Sequence, residues 1–98
     1  MGLDREVAAR LAEERLDEWR RLGHHHWRAM VDQRERRDVT GADGRRYIVV
    51  SSGLDDGDGR VRIAVAVDDG GWSALAPVVR DEISRPDGSG TADGARLA

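Results

Sequence analysis

From Leu3 to Met30 the apolar residues recur in steps of mostly three and four. Val7, Ala8, Leu11, Ala12, Leu16, Trp19, Leu22, Trp27 and Met30 trace one stripe. That is the period of an α-helix with one buried face. Asp4 is placed to cap the helix start, and Glu6 in the first turn suits the helix dipole. Gly23 interrupts the stripe at a cost of about 1 kcal/mol relative to Ala. The pattern predicts a helix over 4–22 and a second helical piece over 24–33.

Beyond residue 33 the period drops to two. Arg36 to Thr40, Arg45 to Ser52 and Arg60 to Asp68 read as strands, the last two joined by Gly53-Leu54-Asp55-Asp56-Gly57-Asp58-Gly59. A hairpin symmetric about Asp56 sets Val50 opposite Arg62 and Ile48 opposite Ala64. Side chains alternate across a strand, so Tyr47, Val49, Ser51, Val61, Ile63, Val65 and Val67 share one face. That face is the expected core, and the helical stripe is its cover. The other face carries Arg46, Ile48, Val50, Ser52, Arg60, Arg62, Ala64 and Ala66. A tight turn at Asp68-Asp69-Gly70-Gly71 leads into a further strand at Trp72 to Ala76, which adds Leu75 to the strip of Ile48 and Ala64. Pro77 and the i,i+4 pair Val79 and Ile83 read as a short helix over 77–84. Residues 85–98, rich in Gly, Asp, Ala and Ser, read as a disordered tail. The expectation is α+β: one small domain over 1–84, helical over 4–33 and a three- to four-stranded antiparallel meander over 36–76.

Six Asp-Gly pairs, at Asp43, Asp56, Asp58, Asp69, Asp87 and Asp93, punctuate the chain, all after the helical part. Asp and Gly both accept turn geometry, so these pairs mark turns. They also resemble a calcium loop, which wants a bidentate Glu at its twelfth position. Counted from Asp55 that position is Ala66, and from Asp56 it is Val67. Turn chemistry is the better account.

Composition narrows the function. The chain has 98 residues, enough for one modest core but not for a large enclosed cavity. It has no cysteine, which excludes disulfides, thiolate metal sites and cysteine nucleophiles. Its longest apolar runs, Tyr47–Val50 and Ile63–Val67, fall far short of a membrane span. The start, Met1-Gly2-Leu3-Asp4-Arg5-Glu6, lacks the layout of a secretion signal. A soluble cytoplasmic protein is expected. Lysine, asparagine and phenylalanine are all absent, as in the products of GC-rich, typically bacterial, genomes. Arginine is therefore the only cation in use, and its abundance says less about phosphate binding than it otherwise would. Residues 1–19 carry three arginines against six carboxylates, 20–46 eight against four, and 47–98 five against nine. This acidic–basic–acidic layout favours internal pairing over wholesale polyanion binding.

The candidate chemistry is sparse. His24, His25 and His26 point about 100° apart on a helix, so three in a row do not converge on one metal. No serine lies in a nucleophile elbow, and no phosphate-binding glycine motif is present. No enzyme activity, cofactor or metal site is expected. Arg34, Arg36, Arg37, Arg45 and Arg46 form the main charge cluster, and the meander is expected to gather them at one end of the sheet as an anion or nucleic-acid patch. Glu35, Asp38 and Asp43 are interspersed, however, and there is no aromatic stacking platform. Trp19, Trp27 and Trp72 fit the core of a chain without Phe. The strip of Ile48, Val50, Ala64 and Leu75, rimmed by Arg62, looks like a docking surface. The expected function is a non-catalytic protein-interaction module binding another chain or itself as a homodimer. The alternative is a small nucleic-acid-binding regulator that uses the Arg34–Arg46 cluster.

Overall fold

A computed structural model describes residues 4–71, 76–87 and 90–92. Helix α1 spans Arg5–Arg21 and α2 spans His24–Ala29. They are followed by strands β1 (Arg34–Thr40), β2 (Arg46–Gly57), β3 (Arg60–Asp68), β4 (Val78–Ser84) and β5 (Gly90–Ala92). The strands form one antiparallel sheet in the order β1-β2-β3-β4-β5, every neighbour being consecutive in sequence. The architecture is α+β, with α1 laid on one sheet face.

The helix starts where the pattern placed it. The Asp4 carboxylate accepts the amides of Glu6 and Val7, each at 3.1 Å, which satisfies two of the free donors of the first turn. Gly23 does break the helix, and α2 starts at His24. The second piece ends at Ala29 rather than 33, because the chain then turns to meet β2. The Asp32 amide donates to Gly53 O at 3.0 Å, and the Gly53 amide donates to Gln33 O at 3.2 Å. Gly53 is obligatory here, since a Cβ would lie 2.2 Å from Met30 O.

Ala8, Ala12, Leu16 and Trp19 of α1 and Trp27 of α2 meet Tyr47, Val49, Val61, Ile63, Val65, Val67 and Val78 in the core. The sheet's core face is therefore the one the alternation predicted. Two side chains anchor the layers. The Trp19 indole N–H donates to Ser51 Oγ at 3.0 Å, and the Trp27 indole N–H donates to Trp19 O at 2.8 Å.

The register differs from the symmetric hairpin. β2 runs on to Gly57, and the turn is Asp58-Gly59, with φ of 56° and 78°. Positive φ at both central residues is the signature of a type I′ turn, whose twist suits a hairpin. A bulge between Asp55 and Gly57 absorbs the extra residue. Val50 therefore faces Ala66, Ile48 faces Asp68, and Ala64 faces Ser52. The slip is four residues, an even number, so no side chain changes face.

The predicted helix over 77–84 is strand β4, which pairs with β3 from Val67↔Val78 to Val61↔Ser84. Its core-side positions are Val78, Arg80, Glu82 and Ser84. Three of the four are polar, which hides the period of two. Glu82 is buried because Arg20 of α1 reaches it, the guanidinium Nε donating to Oε1 at 2.8 Å and to Oε2 at 2.9 Å. Within the expected tail, Gly90–Ala92 pairs with β4 as β5. Residues 72–75, with Trp72 and Leu75, and tail residues 88–89 and 93–98 lie outside the described residues.

Candidate functional site: the uncovered sheet face

Helix α1 covers one face of the sheet. Among the described residues no element lies across the other, whose composition follows from register alone. Three rows cross it. Arg34, Ser52, Ala64 and Asp81 form one, and Arg36, Val50, Ala66 and Val79 form the next. The third is Asp38, Ile48 and Asp68. Leu54, Arg62 and Ile83 extend the surface toward the Asp58 turn.

Exposure on this face is uneven in an informative way. Ile48, Val50, Ala64 and Ala66 are half-buried by their neighbours. Leu54 is 50% exposed and Val79 48%. The exposed large hydrophobic residues among those described are these two and Leu22, at the end of α1. Two of the three thus lie on one uncovered face. A shallow cavity of about 440 Å³ opens here, lined by Arg34, Arg36, Ile48, Val50, Asp68 and Gly70. The turn after β3 closes over it. A Cβ on Gly70 would come within 3.2 Å of Ile48 Cδ1, and the Gly70 amide donates to Asp68 Oδ1 at 2.6 Å.

Of the expected interface residues, Ile48, Val50, Ala64 and Arg62 share this face. Ile48 and Ala64 are not side by side, being two rows apart. Arg62 is committed within the chain: it donates to Asp81 Oδ2 at 2.7 Å and lies 3.5 Å from Asp56. Leu75 is outside the described residues. Val79, Asp81 and Ile83 join the face, and sequence reasoning missed them because 77–84 read as a helix.

The arginine cluster does not form one patch. Arg34 and Arg46 stand at opposite ends of the β1–β2 pair, since Arg34 pairs with Ser52 and Arg46 with Thr40. Six residues of strand separate them, about 20 Å. Arg37 points to the helix side, 3.6 Å from Glu18 and 3.5 Å from Glu35. Arg45 faces Asp69 at 3.6 Å, and Arg36 faces Asp38 at 3.2 Å. Arg34 and Arg46 make no ion pair among the described residues.

Other polar groups hold the layers together. Arg15 is buried between helix and β1, its guanidinium 4.6 Å from the Trp19 ring centre and bonded to Glu18 and Glu35. The Tyr47 hydroxyl donates to Asp43 Oδ2 at 2.7 Å, tying the β1–β2 turn to the core. Burial, reinforced by that bond, pushes the Tyr47 phenol up to about 12, and the bond from the Tyr47 hydroxyl holds Asp43 below the usual carboxylate range. The bidentate contact with Glu82 raises Arg20 further above an already high value. His24 bridges Gly59 O at 2.9 Å and Ser84 Oγ at 2.8 Å, so α2 is fastened to the Asp58 turn and to β4. No signal in the sequence links His24 to partners 35 and 60 residues away. Among the described residues no three His, Asp or Glu side chains converge as metal ligands do, and no described helix is long and apolar enough to cross a membrane.

Comparison with protein-family models, with curated proteins and with solved structures found no match to this chain.

Proposed function

We propose that this chain is a non-catalytic protein-interaction module that associates with a second copy of itself through its uncovered sheet face. The observation that carries this reading is the concentration of exposed Leu54 and Val79 with half-buried Ile48, Val50, Ala64 and Ala66 on one surface. An apolar patch rimmed by charge is the usual anatomy of a docking surface. The β1 edge of the sheet argues the same way. β1 presents Arg34, Glu35, Arg36, Arg37 and Asp38 in succession, and charge along an edge opposes the addition of another strand. Association by the face is favoured over strand addition at the β1 edge.

Its strength follows from size. Four strands about 4.8 Å apart and seven residues long give a footprint of about 450 Å² per copy. Stable dimers bury about 800 Å² per partner. The pairing therefore belongs to the transient class, with dissociation in the micromolar range or weaker. Dilution monitored by amide NMR shifts tests the surface. Concentration-dependent shifts should gather at Ile48, Val50, Ala64, Ala66 and Val79. Shifts confined to the helix side or to the β1 edge, or none at any concentration, sink the proposal.

A further inference from the structure

The rows of the uncovered face carry their own complementarity, and this extends the self-association proposed above, on which it rests. Arg34 and Asp81 occupy the same row at opposite sides of the sheet, with Ser52 and Ala64 between them. Arg34 lacks an ion pair among the described residues. Asp81 holds Arg62 with one oxygen, and an ionised carboxylate has acceptor sites for a second guanidinium. The two middle strands also differ in bulk. On this face β2 carries Ile48, Val50 and Leu54, whereas the middle of β3 carries Ala64 and Ala66, between Arg62 and Asp68.

Two face-to-face arrangements keep the strands of both copies aligned, as sheet packing prefers. In one the twofold axis lies in the interface across the strands. It sets β2 on β2 and β3 on β3, so bulk meets bulk along β2 and a gap opens over Ala64 and Ala66 of β3. In the second the axis runs along the strands between β2 and β3. It sets each β2 on the partner's β3, so that Val50 meets the partner's Ala66. Large opposite small is how facing layers fill space. The same rotation keeps height along the strands, bringing Arg34 over the partner's Asp81 and Asp81 over the partner's Arg34. Aligned sheets cross at about 30°, which displaces facing rows at their edges by roughly 4 Å. An arginine side chain spans that offset across the roughly 10 Å between packed sheets.

We infer that two copies pair face to face about a twofold axis parallel to the strands, closed by two symmetry-related Arg34–Asp81 ion pairs. An isologous interface makes the prediction unusually specific, because every contact occurs twice. Sedimentation equilibrium on the full chain tests it with charge reversals. Arg34→Asp alone and Asp81→Arg alone each place like charges together at both ends, and each should weaken association about tenfold or more. In a mixture of the two variants the mixed dimer regains both pairs, one in the native sense and one reversed, and association should return to within about threefold of wild type. The double variant should recover likewise as a homodimer.

Circular dichroism checks that each variant folds, since Asp81→Arg also faces Arg62. If that variant does not fold, an Arg34→Ala and Asp81→Asn cycle carries the test, and the two losses must be non-additive. Wild-type association that is indifferent to these changes, unrescued by mixing or additive in the cycle overturns the geometry but leaves self-association standing. A wild type that stays monomeric removes both.

Discussion

Tyr47 and Asp43 show how one hydrogen bond couples a turn to the core and makes stability depend on pH. The phenol is buried and titrates near 12 in the folded protein, against about 10 in an unfolded chain. The sign follows directly. Between those values the folded state keeps a proton that the unfolded state has lost, so stability falls as pH rises through this window. The chain has one tyrosine and neither lysine nor cysteine, so no other side chain titrates there. Chemical denaturation at several pH values from about 9 to about 12 should show this decline in wild type and a nearly flat profile in Tyr47→Phe. At neutral pH that variant should lose only about 1 kcal/mol, because Asp43 is exposed and water takes the place of the hydroxyl. Arg20 carries a larger share. Its removal strands the Glu82 carboxylate, which is 4% exposed. Since Arg20 itself is partly solvated, Arg20→Ala should cost about 2 kcal/mol rather than the 3–5 kcal/mol of a fully enclosed pair. Urea midpoints measure the difference.

At the scale of elements, two glycines separate conformational freedom from close approach. Gly44 has φ +80° with open space around it, so Gly44→Ala should cost about 1–2 kcal/mol from the left-handed backbone alone. Gly53 has an ordinary backbone, but Met30 O lies where its Cβ would go. Gly53→Ala must part β2 from the segment after α2, and should cost more than about 3 kcal/mol. Thermal unfolding of the two variants checks the order, and an equal loss in both contradicts it. Much of this layout was legible beforehand. The stripe from Val7 to Trp27 gave α1 and its break at Gly23, and the alternation from Tyr47 to Val67 gave the buried face. The exceptions have physical causes. Adjacent Asp-Gly pairs at 56 and 58 compete to be the turn, and twist selects the second. Strand β4 was hidden because Arg80, Glu82 and Ser84 occupy core-side positions, so its alternation vanished while Val79 and Ile83 mimicked a helical face. The arginine patch failed for the converse reason. Residues adjacent in sequence are sent to opposite faces by the pleat, and residues on one face can lie about 20 Å apart.

At the scale of the whole molecule, the described residues form a helical layer on one face of a sheet, and none of them forms an element across the other face. The helix satisfies one side of the sheet, and the edge beyond β1 is defended by charge. The remaining side combines Ile48, Val50, Leu54 and Val79 with small residues that let another surface come close. This asymmetry is the basis for proposing association between copies, and the modest footprint explains why it is expected to be reversible rather than obligate. The most direct measurement is the mass in solution by sedimentation equilibrium, from about 10 µM to about 1 mM, for wild type and for Ile48→Glu. The account predicts a wild-type mass that rises from monomer toward dimer with concentration, and a folded Ile48→Glu variant that remains monomeric throughout. A wild type that is monomeric over the whole range, or an Ile48→Glu variant that associates equally well, would contradict it.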